Sequence, residues 1–263
     1  MTATPVSSGI LGFNICRSFG LLREADLRRF GVRRLLGGIN FVQSLEFRLV
    51  LEHLAFTGME RVLDVASPKL PAAYLAASGK VASIVMTDLS DPRLEDFRAL
   101  VPPGSRHRVS CQNVDATALD QAFAAGSFDR VSCLTSLQHF PDDTDMLGLQ
   151  QFARVLAPGG RLLVTVPYDP RWQEEPYPEL GGTRKCYDGG ALSSRLSTPG
   201  LTLLHKIYYG QRWFPTDSFV SSFPKPALQA LINWATPVLE PLFWVTCPPE
   251  RAHGVALVYE RQP

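Results

Sequence analysis

The sequence predicts an α/β protein built on one doubly wound, mostly parallel sheet, with helices ahead of it and an antiparallel strand pair closing it. Three observations carry this. Short β-branched runs alternate with helical patterns from residue 61 to residue 166, the rhythm of βαβ units with right-handed crossovers. The first run, Arg61-Val-Leu-Asp-Val65, places an acid at the end of a strand directly before a turn and an apolar helix, where open α/β sheets hold nucleotide-like ligands. Beyond residue 166 the alternation stops, and two late strands at 201–209 and 255–260 lack a regular helical crossover, which suits a hairpin at one edge.

Composition sets the bounds. The 263 residues are 45% hydrophobic and 19% charged, enough for a full core and too apolar for disorder. A net charge of +1 gives no reason to expect nucleic acid or an acidic substrate. No apolar run approaches the roughly 18 residues of a membrane span, and the start lacks the pattern of a secretory signal. Residues 1–23 hold no acid and several Ser and Arg, a trace of a transit peptide that a loose terminus explains better. The cysteines, Cys16, Cys111, Cys133, Cys186 and Cys247, are odd in number and scattered without a CxxC. That argues against a disulfide framework and against zinc, and for a reducing cytoplasm.

Taken in order, residues 1–13 read as a loose terminus with Pro5, Gly9 and Gly12 as breakers. A helix is expected over 19–30, its surroundings locally basic through Arg17, Arg23, Arg28, Arg29, Arg33 and Arg34, which a solvated face explains. Gly37-Gly38 interrupts, and a second helix over 40–55 presents Phe41, Leu45, Leu49 and Leu54 on one side. Residues 1–58 thus form an N-terminal helical segment or lid, and 59–263 the sheet domain. After the first strand, Ser67 suits an N-cap and Pro68 a first helical position, with Leu70, Ala73, Tyr74 and Ala77 as the apolar stripe. Gly79 closes that helix. A second strand over 81–87 ends at Asp88, 24 residues beyond Asp64; an acid at about this distance takes ribose hydroxyls in dinucleotide folds, because a carboxylate can accept from both members of a vicinal diol. A helix over 91–100, a third strand over 108–114 running into Asp115, a short helix over 120–125 and a fourth strand over 128–134 follow. Thr135 to His139 leave that strand; a helix over 142–156 carries Met146, Leu149, Phe152 and Val155 at helical spacing; Pro158-Gly-Gly160 turns into a fifth strand over 161–166. A further helix is expected within 180–197.

These residues resemble a known family, the class I S-adenosylmethionine-dependent methyltransferases of the small-molecule kind. The resemblance covers roughly 45–260 in order of elements. It rests on Val62-Leu-Asp-Val65, on Asp88 and Asp115-Ala116 after the next two strands, on Phe128-Asp-Arg-Val-Ser-Cys133 with His139 shortly after, on Arg184-Lys-Cys-Tyr187, and above all on Ala153-Arg-Val-Leu-Ala-Pro-Gly-Gly-Arg-Leu-Leu-Val164. It implies a Rossmann-like fold and S-adenosylmethionine as cofactor. It further implies that Asp64, Ala66 and Ser67 sit by the methionine part, Asp88 on the ribose, Leu89 against the adenine, Asp115 and Ala116 at its amino edge, and Thr135 beside the sulfonium. Two of these have plain structural alternatives: Asp64 as an organiser of the turn and Asp115 as a loop cap. One departure stands out. Where the family has Asp-x-Gly-x-Gly-x-Gly, this chain has Ala66, Pro68 and Leu70. A Cβ restricts close backbone approach and a proline removes an N–H donor. Lys69 is on hand as a charge for the cofactor carboxylate. Either the turn binds in a modified way or binding has weakened; the retained Asp88 favours the first.

Methyl transfer from a sulfonium needs positioning and exclusion of water, and a base only for an acceptor with a high-pKa proton. His139, just past the fourth strand, is the candidate base, with loop packing as its alternative. Tyr168, Trp172 and Tyr187 lie in segments expected to overhang the same edge and contact a substrate, or to serve as core or rim. The insertion at about 214–249 is rich in Trp, Phe and Pro, and Leu228, Leu231, Trp234, Val238, Leu239, Leu242 and Phe243 form an apolar stripe: core, a substrate lid, a dimer face giving a homodimer, or a membrane-surface helix, in that order. The expected function is methylation of a small, largely apolar molecule at oxygen, without a metal. The alternative is a non-methylating member of the fold with altered or lost cofactor binding. A nicotinamide dehydrogenase lacks its glycine fingerprint here.

Overall fold

The computed structural model describes residues 6–37, 41–177, 182–211, 233–235, 243–244 and 246–263. Three helices come first: α1 (Val6–Leu21), α2 (Arg28–Gly37) and α3 (Phe41–His53). The alternating part follows as β1 (Arg61–Val65), α4 (Leu70–Ala77), β2 (Ser83–Asp88), α5 (Leu94–Ala99), β3 (Val109–Asn113), β4 (Phe128–Leu134), α6 (Thr144–Val155) and β5 (Leu156–Pro167). Then come β6 (Gln173–Tyr177), β7 (Gly182–Cys186), α7 (Gly189–Arg195), β8 (Leu201–Gln211), β9 (Phe243–Trp244) and β10 (Gly254–Arg261). The main sheet runs β3-β2-β1-β4-β5-β10-β8-β9. Its first five strands are parallel, and β10 is inserted antiparallel between β5 and β8. This is the expected Rossmann-like α/β architecture with its antiparallel late pair.

Both faces of the sheet are covered, as a parallel sheet requires. Along β1, Val62 packs into one core layer and Leu63 and Val65 into the other. The first layer holds Leu45 and Leu49 of α3, Leu54 just after it, Leu70 and Ala73 of α4, and Ile84 and Met86 of β2. The second holds Leu149, Phe152 and Val155 of α6 against Val131, Cys133, Leu162 and Val164. No helix among the described residues is long and apolar enough to cross a membrane.

Four local expectations are corrected. The start is not loose: α1 begins at Val6 and buries Ile10, and its Phe13 meets Tyr74 of α4 edge-on at 5.7 Å. Packing outweighs the cost of Gly9 and Gly12 in that helix, about 1 kcal/mol each. The helix expected over 19–30 is instead the junction of α1 and α2. The turn at Pro158-Gly-Gly160 lies within β5 as a register break: Phe128 pairs with Leu156, but Arg130 pairs with Arg161. Residues 182–186 are strand, not helix; β7 forms a hairpin with β6 in which Glu174 faces Lys185 and Glu175 faces Arg184. The helix that follows is short, started by the Asp188 carboxylate accepting from the Ala191 N–H at 2.7 Å. Of the aromatic insertion, 212–232 and 236–242 lie outside the described residues, and with them Leu228, Leu231, Val238, Leu239 and Leu242. Asn233 donates to the Gly37 carbonyl at 2.7 Å.

Candidate cofactor and acceptor site

The strand order reverses at β1, flanked by β2 and β4, so a crevice opens beyond the carboxyl ends of these strands. Register places the exits of β1 (Val65 beside Thr87) and of β4 and β5 (Leu134 beside Thr165) on one edge.

The turn after β1 keeps a glycine-type backbone without a glycine. Ala66 has φ +49°, in the left-handed region, and its N–H bonds the Thr87 carbonyl at 2.9 Å. That conformation costs an L-residue about 1–2 kcal/mol. Two serines hold it. The Ser67 hydroxyl donates to the Val65 carbonyl at 3.0 Å and accepts from the Leu134 N–H at 2.8 Å, while the Ser136 hydroxyl donates to the Ala66 carbonyl at 2.6 Å. Ser67 is therefore a tie between the exits of β1 and β4, not the expected N-cap; α4 starts at Leu70 with Pro71 in its first turn. Lys69 is also corrected. Its side chain is 2% exposed, its ammonium 2.9 Å from Asp64 and 2.7 Å from the Thr87 carbonyl, so it meets no ligand carboxylate from there. Asp64, equally buried, also accepts from the Ser132 hydroxyl at 3.2 Å. The buried pair anchors the floor of the turn, the structural alternative for Asp64.

At the exit of β2, the Asp88 carboxylate takes one hydrogen bond among the described residues, from the Ser90 N–H at 3.3 Å. Leu89 beside it is 67% exposed, an apolar side chain facing solvent. At the exit of β3, Asp115 accepts from the Thr117 N–H at 2.8 Å and hydroxyl at 2.7 Å, the loop cap left open by the sequence, and Ala116 is buried below it.

At the exit of β4, Thr135 is again left-handed, φ +48°. Its N–H bonds Thr165 and its hydroxyl bonds Glu46, a fully buried carboxyl on α3. Sequence reasoning missed Glu46. His139 sits in a 3-10 turn, Leu137–His139, half-buried, its ring 5.0 Å from that of Tyr177. Burial lowers its pKa against the pull of the Thr183 carbonyl, and the Arg184 charge lowers it too. The balance leaves its pKa below the ordinary imidazole value.

The aromatic residues divide. Tyr168 packs edge-on against Tyr208 at 4.8 Å. Trp172 lies between Tyr187, at 5.4 Å, and the Arg195 guanidinium, at 5.2 Å from its ring. Tyr187 is fully buried and donates to Asp145 at 2.8 Å, so it takes the core role and presents no surface to a substrate.

Residues 62–160 match the family model of the methyltransferase domain. The chain is 25% identical over 220 residues to the chloroplastic tocopherol O-methyltransferase of Arabidopsis thaliana, 77% of this chain and 56% of that one. It spans about half the length of the curated relatives it matches. Among solved structures, the [4+2]-cyclase SpnF superposes with a TM-score of 0.58 at 21% identity over 84% of this chain and 81% of that one. The 1,6-didemethyltoxoflavin-N1-methyltransferase of Burkholderia thailandensis, with 1,6-didemethyltoxoflavin and S-adenosylhomocysteine bound, gives 0.55 at 14% identity over 95% and 88%. Residues 62–160 are thus similar to a methyltransferase domain, and the chain shares its fold with an S-adenosylmethionine-dependent methyltransferase of Mesorhizobium loti.

Proposed function

We propose that this protein transfers a methyl group from S-adenosylmethionine to an oxygen of a small, largely apolar molecule. The observation that carries the reading is the crevice at the switch point, with Asp88 open at one end and the left-handed Ala66 turn intact at the other. The residues fit the cofactor: Ala66 holds the conformation a glycine would, and Asp88 has acceptor capacity left for a ribose diol. Asp88 and Leu89 would hold the nucleoside, Ala116 would border its base, and the Ala66–Ser67 backbone would meet the methionine part. When bound, the cofactor supplies a methyl group on a positively charged sulfur. Thr135 would border that sulfur, and neutral His139 would take the hydroxyl proton of the acceptor as the new bond forms. Tyr168 and Trp172 would line the acceptor side, with residues 1–58 as its cover. The net charge of +1 suits a small molecule rather than nucleic acid. A cytoplasmic location is part of the proposal, supported by five scattered cysteines without a CxxC.

Calorimetric titration with S-adenosylmethionine tests this. Wild type is expected to bind, and Asp88→Ala to bind about 10–100-fold more weakly for the loss of charge-assisted hydrogen bonds. Binding by neither protein sinks the reading. Binding without any methylated product or S-adenosylhomocysteine moves the chain to the non-methylating alternative.

A further inference from the structure

Glu46 is fully buried, yet among the described residues its carboxyl meets no cation. Three hydroxyls converge on its Oε1: Thr135 from the exit of β4, Thr165 from β5 at 2.7 Å, and Tyr209 from β8 at 3.0 Å. Its Oε2 is sealed from solvent and has no hydrogen-bond partner among the described residues. A lone buried carboxyl is unfavourable, and an apolar side chain of similar size would fill the same space at less cost. In its charged form the carboxyl calls for a positive partner in the working protein.

Thr135, which Glu46 holds, lies at the exit of β4, one strand from the Ala66 turn and two from Asp88. Neighbouring strands are about 4.8 Å apart. A nucleoside with its diol on Asp88 therefore carries whatever is attached to its ribose 5′-carbon across β1 toward β4. In S-adenosylmethionine that is the sulfonium. A positive charge there would lie on the far side of Thr135 from Glu46, whose carboxyl is shut off from water, where Coulomb forces act over several ångströms without contact.

We propose that Glu46 is the built-in counter-charge for the sulfonium, a positioning residue that makes the site prefer S-adenosylmethionine over the neutral thioether S-adenosylhomocysteine. This rests on the methyltransferase reading. It adds that the product loses its electrostatic partner when the methyl leaves, so the same carboxylate that gathers the donor helps release the spent cofactor.

The test is the ratio of the two dissociation constants by calorimetry, in wild type and in Glu46→Gln. The amide keeps the size and one oxygen for the three hydroxyls but cannot carry charge. The ratio is expected to shift by about tenfold against S-adenosylmethionine, with S-adenosylhomocysteine binding within about twofold of wild type. Glu46→Asp, which keeps the charge, is expected to retain most of the preference. A Glu46→Gln protein that binds both compounds with an unchanged ratio overturns the role of Glu46 and leaves the methyltransferase reading standing. Equal weakening of both compounds also overturns it, since that is what a structural role gives. If wild type binds neither compound, both readings fall.

Discussion

Ala66 shows how a residue can break a motif without breaking the shape behind it. The side chain differs from the family glycine, but the backbone remains at φ +49°, pinned by Thr87, Ser67 and Ser136. Strain persists at such a place only when its surroundings over-determine it. Ala66→Gly is therefore expected to raise stability by about 1 kcal/mol, read from denaturant midpoints at constant slope. An unchanged or lower midpoint would show that Ala66 carries no strain. The residues of this site were unequally legible. Asp88 stands at a strand end with a known spacing, so its candidacy could be read locally. Glu46 could not: its partners lie 89, 119 and 163 positions away, and on α3 it is one acid between Leu45 and Phe47. The same isolation makes it titrate unusually. Burial raises its pKa against the pull of Thr135, Thr165 and Tyr209. A carboxyl raised in the folded state contributes fully below its unfolded value, about 4.3, and that contribution is lost as the pH climbs through the folded one. Glu46→Gln should therefore gain stability over wild type between pH 4 and pH 8 in thermal melts of the ligand-free protein. A constant difference across that range refutes it.

At the scale of elements, β1 to β5 and α6 were readable because period, turn residues and strand length agreed. The β6–β7 hairpin was not. Its stabilising pairs, Glu174 with Lys185 and Glu175 with Arg184, exist only across the strands, and Gly182 to Cys186 has no apolar alternation of its own. What seats it is Asp145 on α6, buried with Lys185 of β7, Tyr187, and Arg195 of α7, whose guanidinium grips both carboxylate oxygens at 2.9 and 2.6 Å. Burial raises the Asp145 pKa, but the Arg195 and Tyr187 hydrogen bonds and the Lys185 charge outweigh it and leave it lowered. A lowered carboxylate stabilises above its unfolded value, about 3.9, and loses that contribution as the pH falls through the folded one. Asp145→Asn leaves Lys185 buried without its counter-charge and is expected to cost about 3–5 kcal/mol near neutral pH, shrinking on acidification. A loss under about 1 kcal/mol at pH 7 would show that the network is ornamental.

For the whole molecule, the fold class followed from alternation, whereas α1 was missed because Gly9 and Gly12 signal breaks that tertiary packing, through Ile10 in the core and Phe13 on Tyr74, overrides. The sheet also has an order of completion. β10 lies between β5 and β8 and pairs with both, yet it is the last of the three to be synthesised. Until it emerges, β5 keeps a bare edge and β8 has no route into the main sheet, a condition that invites mispairing. Tyr209 belongs to β8, so its hydroxyl can reach Glu46 only after β10 has joined the halves. The nascent chain can thus shape the turn at Ala66 early and bring Thr135 and Thr165 to Glu46, but the Tyr209 hydroxyl joins them only when the sheet is whole. Completion of the cluster is in this sense timed by translation: a chain that stalls before residue 254 carries Asp88, the turn, Thr135 and Thr165 and lacks the seat for the Tyr209 hydroxyl.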